Sequence, residues 1–279
     1  RHDLRIQLPS ISMKTIHVPL QIVFFRVLML ACMSPLIASA TDWPSYRANL
    51  SRSAQTETSV SKILKPAWIY HSNHRPIPAW PLPGEETPRM HTDRAFHVVT
   101  HKQTAYFGSS VDHQIRAVDT RTGELQWRFY ADGAIRFAPH IAQNHLYFGS
   151  DDGYVYCLDL ATGKQVWRYR PGPADERIIG TGRMIATWPV RTGLAVQDNV
   201  VYAAAGIFPY EGLYITALNA TTGAEIWKND TAGDLAWGLQ YGGMAPQGYL
   251  LLTDKTLYVP SGRGMPAAFD RETGDFKKF

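Results

Sequence analysis

Arg177, Arg183, Trp188 and Arg191 fall within one 15-residue stretch, and Trp237 and Tyr241 follow in the next long connection. A guanidinium carries a planar fork of donors that pairs with both oxygens of a carboxylate and stacks on aromatic rings. These six residues therefore suit a planar, carboxylate-bearing small ligand. The same side chains also suit a plainer task, fastening long loops to the rim of a scaffold. Other chemistry is harder to find. The ten histidines include His71, His74, His91, His97 and His101 in or near a proline-rich stretch. None lies in an HExxH pattern or beside a CxxC, so no metal-ligand spacing is present. No Ser/His/Asp arrangement or paired-carboxylate site is discernible. No catalytic residue and no metal ligand is assigned.

Charge excludes one class of partner. The chain has 28 basic and 24 acidic residues over 279 positions, and a pI near 9.0. Residues 1–40 hold Arg1, Arg5, Lys14 and Arg26 against Asp3, which leaves 24 basic and 23 acidic residues in the remainder. With no basic run there, the footprint of nucleic-acid binding is missing.

The loops that carry the candidate residues interrupt a repeat. Four copies align on Asp or Asn and Thr-Gly: "AVDTRTGELQW" from Ala117, "CLDLATGKQVW" from Cys157, "ALNATTGAEIW" from Ala217 and "AFDRETGDFKK" from Ala268. The shared positions are Asp119, Gly123 and Trp127; Asp159, Gly163 and Trp167; Asn219, Gly223 and Trp227; and Asp270 and Gly274, with Lys278 in place of the fourth Trp. Each copy follows a strand-like run ("AYFGS", "LYFGS", "VYAAA", "LYVPS"). The physics of the frame is local. Asp159 ends a β-former run and accepts bonds from N–H groups just ahead, as Asx turns do. Gly163 supplies the positive φ of a bulged hairpin, and Trp167 a large apolar anchor. One further apolar stretch ahead of each copy gives four strands of about 40 residues in all, the size of a propeller blade. Strands apolar on both faces suit blades stacked around an axis. The expected fold is all-β, a β-propeller of four-stranded antiparallel blades, with four blades visible of a larger ring.

These turns are similar to those of the pyrroloquinoline-quinone (PQQ)-like β-propeller repeat family, and "DWPSYRANLSRSA" (Asp42–Ala54) resembles the opening of exported bacterial proteins with this domain. The resemblance implies that Trp127, Trp167 and Trp227 dock against the neighbouring blade. For function it implies two outcomes: quinoprotein dehydrogenases, holding PQQ with Ca²⁺ and a catalytic Asp, or a lipoprotein of the outer-membrane β-barrel assembly machinery. No adjacent cysteine pair and no calcium constellation can be matched. The expectation is a non-catalytic scaffold binding a protein, peptide or small ligand, with no cofactor and an outer-membrane association. The alternative is a PQQ- and calcium-dependent dehydrogenase of alcohols or sugars.

Boundaries follow. Residues 1–12 precede the start at Met13; residues 13–40 read as a signal peptide, with the apolar run Val27–Ile37 and Ala38-Ser39-Ala40 as a cleavage site. Cys32 offers a lipoprotein alternative. Export to the periplasm or cell envelope is expected. Residues 41–94 hold "LKPAWIYHS" (Leu64–Ser72), read as an isolated outer strand that closes the ring, and a proline-rich loop. Residues 95–279 are the repeats, with further blades expected beyond Phe279.

Overall fold

The repeat sets the strand pairing. In the computed structural model the described residues are 42–60, 62–80, 92–180, 182–236, 244–262 and 264–279. The expected signal segment 13–40, Trp237 and Tyr241 lie outside them. Blade one contains β1 (Val98–His101), β2 (Thr104–Gly108), β3 (Gln114–Asp119) and β4 (Leu125–Tyr130). Blade two contains β5 (His140–Ala142), β6 (His145–Gly149), β7 (Val155–Asp159) and β8 (Gln165–Tyr169). A hairpin, β9 (Arg177–Gly180) and β10 (Arg183–Ala186), and the short β11 (Thr192–Gly193) then precede blade three. That blade is β12 (Ala195–Gln197), β13 (Val200–Ala205), β14 (Tyr214–Asn219) and β15 (Glu225–Asn229). β16 (Gly248–Tyr249) pairs in parallel with β11. Blade four is β17 (Leu251–Leu252), β18 (Thr256–Val259), β19 (Ala267–Asp270) and β20 (Phe276–Lys278). Each blade is a four-stranded antiparallel meander in sequence order, and the protein is a β-propeller.

The Thr-Gly turns have one geometry. Asp159 Oδ1 accepts from the Thr162 N–H at 2.8 Å and its hydroxyl at 2.6 Å. Gly163 has φ 69°, where a Cβ would be strained, and the ladder shifts by a residue between Cys157 and Leu158. Asp119, Asn219 and Asp270 accept from the N–H groups of Thr122, Thr222 and Thr273 in the same way.

The last three of these turns each also receive the tryptophan of the preceding blade. The indoles of Trp127, Trp167 and Trp227 donate to the carbonyls of Leu160, Ala220 and Arg271 at 3.2, 2.9 and 3.1 Å. Between blades the core is apolar: Ile115, Leu146 and Tyr156 after blade one, Tyr147, Cys157 and Val201 after blade two, Ile215, Leu257 and Phe269 after blade three. Burial pushes the Cys157 thiol up to about 12, so this cysteine packs as a small apolar group.

Residues 64–72 pair with no described strand; the blade expected to pair with them lies beyond Phe279. Trp68 nonetheless donates to the Thr120 carbonyl at 2.8 Å.

Candidate functional site

Strand alternation divides the loops between two faces. The β2–β3, β6–β7, β13–β14 and β18–β19 connections share one face with the links between blades, and the Asx turns lie on the other. Every long insertion belongs to the first face. At its centre, four charged side chains from distant parts of the chain meet in the interior.

Asp151, in the β6–β7 turn, is their hub. Its Oδ1 accepts from Arg191 Nε at 3.0 Å, and its Oδ2 from Arg191 Nη2 at 3.2 Å and from Arg136 Nε at 2.8 Å. Arg136 also donates to Asp93 Oδ2 at 3.2 Å and to the Ile77 carbonyl at 2.7 Å. These four side chains are at most 4% exposed. Burial alone would raise the Asp151 carboxyl; the guanidiniums of Arg191 and Arg136 outweigh it and hold the group at about 2.

The proline-rich segment closes over this cluster. The Ile77 N–H donates to Ser110 Oγ at 2.9 Å and the Ala79 N–H to Asp93 Oδ2 at 2.5 Å. Trp80 donates to Gln247 Oε1 at 2.6 Å and faces the Arg191 guanidinium, 6.0 Å from its ring centre.

The described sequence-derived candidates separate into two groups. Arg191 belongs to the buried cluster. Trp188 is also interior, its indole donating to the Glu211 carbonyl at 2.6 Å and meeting Tyr214 edge-on. Arg177 and Arg183 stand instead on the β9–β10 hairpin. Arg183 donates to the Ser110 carbonyl of blade one at 2.8 Å, and Arg177 lies 3.8 Å from Asp175. The hairpin has two unlike faces. Ile178 pairs across it with the buried Ile185, whereas Ile179 and Met184, also directly opposite one another, are 80% and 54% exposed.

Sequence reasoning missed Asp93, Arg136 and Asp151. Asp151 stands in the turn signal Asp151-Asp152-Gly153, which accounts for it locally. Arg136 carried a usable signal, a lone arginine inside the apolar run "AIRFAPHIA"; such a charge is rarely buried unpaired.

A second missed arginine fastens the 42–54 segment along the axis. Arg52 donates to the carbonyls of Leu194, Leu250, Tyr46 and Asn49 and sits over the Tyr249 ring. Tyr46 stacks on Tyr249 with ring centres 3.7 Å apart. Desolvation lowers the Arg52 guanidinium to about 10.

The residues at the axial cluster do not fit calcium. Ca²⁺ takes 6–8 oxygen ligands, but both Asp151 oxygens and one Asp93 oxygen are already bound by N–H donors. Only Asp93 Oδ1 is without a partner. Among the described residues, no three His, Cys, Asp or Glu side chains are grouped to hold a metal ion.

Residues 111–278 match the family model described as outer membrane protein assembly factor BamB. The chain is 26% identical over 257 residues to a quinohemoprotein alcohol dehydrogenase of Comamonas testosteroni, covering 90% of this chain and 31% of that protein. It is 28% identical over 167 residues to a tetrathionate hydrolase of Acidithiobacillus ferrooxidans, covering 57% of this chain and 30% of that one. The chain thus spans about a third of the length of these curated relatives. The crystal structure of the C. testosteroni dehydrogenase superposes with a TM-score of 0.55 at 18% identity, over 88% of this chain and 42% of that one. A europium-containing methanol dehydrogenase gives 0.52 at 12% identity, over 84% and 48%. Identities this low establish a common fold. With its docked tryptophans and a match over more than half its length, the chain belongs to the PQQ-like β-propeller repeat family whose model is described as outer membrane protein assembly factor BamB.

Proposed function

We propose that this chain is a non-catalytic binding module of an exported propeller, which takes a protein partner on the face that carries the β9–β10 hairpin. The observation behind this reading is the outward cross-strand pair Ile179–Met184. Two large apolar side chains held in register on a hairpin form a contact surface, and exposed apolar patches mark interaction sites. Tyr210 and Met265, 82% and 67% exposed, belong to loops of the same face. Arg177 shares the outward face with the pair and supplies directional bonds to a partner, whereas Arg183, on the other face, anchors the hairpin to blade one. The description of the family as an outer-membrane assembly factor supports a partner in the cell envelope. Export, with residues 13–40 as the leader or Cys32 as a lipid anchor, is part of the proposal. No helix among the described residues is long and apolar enough to cross a membrane.

The second reading is a PQQ-dependent dehydrogenase, supported by the alignment of 90% of the chain with a quinohemoprotein alcohol dehydrogenase. Against it stands the use of Asp151 by two guanidiniums. Titration of the exported protein with PQQ and Ca²⁺, followed by tryptophan fluorescence and a dye-linked assay on ethanol and glucose, separates the two. The binding module gives neither saturable binding nor dye reduction; calcium-dependent binding with turnover establishes the dehydrogenase. A photo-crosslinker at position 179 should then capture an envelope protein in cells, and Met184→Glu should abolish that product. A crosslinker that yields no product, or one that Met184→Glu leaves unchanged, removes the hairpin from the proposal.

A further inference from the structure

Residues 76–80, in the proline-rich segment, are held in the way a bound peptide is held. Side chains, not a neighbouring strand, receive their backbone. The Ile77 N–H donates to Ser110 Oγ at 2.9 Å, the Ile77 carbonyl accepts from Arg136 Nη1 at 2.7 Å, and the Ala79 N–H donates to Asp93 Oδ2 at 2.5 Å. Alternate residues are engaged, the pattern of an extended chain laid on a receptor. Pro76 and Pro78, which alternate with them, have no N–H to satisfy and a fixed φ. Such a segment loses little conformational freedom on docking.

Side chains complete the contact. Ala79 is 1% exposed and packs on Phe137, so this subsite takes a small residue. The Trp80 indole donates to Gln247 Oε1 at 2.6 Å, and its ring meets Phe208 edge-on with centres 6.1 Å apart. Ile77 is 37% exposed by contrast, and residues 71–75 ahead of it are all exposed.

The receptor is complete without the segment. Asp151 binds Arg136 and Arg191, and Asp93 binds Arg136, through bonds in which residues 76–80 take no part. Lifting the segment therefore leaves every charge of the cluster paired. A stretch tied by a few polar bonds at the end of an exposed run opens at much lower free energy than a blade strand.

We infer that the axis of this face is a binding site for an extended peptide with the chemistry of residues 76–80, prolines alternating with engaged residues and a small residue followed by tryptophan. The chain's own segment is its built-in competitor, and a partner protein offering such a peptide displaces it. The site is separate from the Ile179–Met184 pair and stands whether or not that pair docks a partner.

The test is fluorescence polarisation with a labelled peptide of residues 74–80. In the full chain carrying Ala79→Pro and Trp80→Ala, the segment loses the N–H that bonds Asp93 and its indole, while every receptor side chain is kept. This variant should bind the peptide saturably. The parent chain should bind it roughly a hundredfold more weakly, because its own segment must open first. Adding Ser110→Ala to the variant should weaken binding about tenfold, the scale of one lost hydrogen bond, and leucine at the alanine position of the peptide should abolish it. The inference is overturned by no binding to a variant that still melts cooperatively, by equal binding to both chains, or by binding that neither Ser110→Ala nor the leucine peptide weakens. If the variant does not fold, hydrogen exchange of the parent chain decides. The Ile77 and Ala79 amides should exchange by a local opening that low denaturant does not accelerate; exchange only through global unfolding makes the segment a fixed plug and overturns the inference equally.

Discussion

Trp68 rests on Gly123 as Trp127 rests on Gly163. A Cβ at Gly123 would lie 2.9 Å from the Trp68 ring, and one at Gly163 would lie 2.4 Å from that of Trp127. Each indole also donates to a carbonyl of the turn it covers. The docking contact is thus made by a tryptophan whose backbone pairs with no described strand. Its energetics should differ accordingly. Trp68→Ala should release residues 62–72, so that trypsin cuts faster at Lys62 while the unfolding midpoint changes little. Gly163→Ala forces a side chain into the left-handed region, at about 1–2 kcal/mol, and into a ring as well. It should lower the midpoint of the whole propeller in urea.

Asp151 binds two buried guanidiniums, and losing its charge strands both. Asp151→Asn should cost about 3–5 kcal/mol in chemical denaturation, the usual result of breaking a buried pair from one side. A double-mutant cycle with Arg191→Met should show strong coupling, since Arg191 contacts both carboxylate oxygens. Independent effects would mean that the cluster relaxes when opened.

Arg52 binds four carbonyls from three parts of the axis. Lysine has three donors on a point charge, against five in a planar fork. Arg52→Lys should therefore be nearly as destabilising as Arg52→Ala. The measurement is the thermal midpoint of both variants beside the parent chain, with recovery in the lysine variant as the contrary result.

His140 makes stability depend on pH in a definite direction. Its folded value, lowered to about 3 by desolvation and the Arg52 charge, lies below the ordinary 6.5, so the unfolded chain binds the proton first. The contribution is complete above pH 6.5 and is lost as pH falls from there towards 3, at up to about 1.4 kcal/mol per pH unit. Asp151, held at about 2 against an ordinary 3.8, adds a loss of the same sign below about pH 4. Other groups also titrate in this range, so the difference between parent and His140→Gln isolates the effect. That difference should shrink between pH 7 and pH 4.5 in urea melts.

The blade was legible because its signals are short. Asp159, Thr162, Gly163 and Trp167 lie within nine residues, and each acts through a bond or dihedral set locally. Apolar character on both faces of "YVYCL" already implied stacked sheets. The extended segment around Trp68 could be read for its tryptophan, whereas the blade expected to pair with its backbone lies beyond Phe279. The site was legible only as residue types. Arg191 stood out, but its partner Asp151 lies 40 positions away and Arg136 another 15 before that. Arg52 reaches carbonyls 142 and 198 positions away. By itself the sequence determined turns, strands and blades, through chemistry between near neighbours. Which charges meet at the axis was decided by the tertiary structure, because stacking around that axis brings the loops of different blades together and removes the water that would otherwise keep those charges apart.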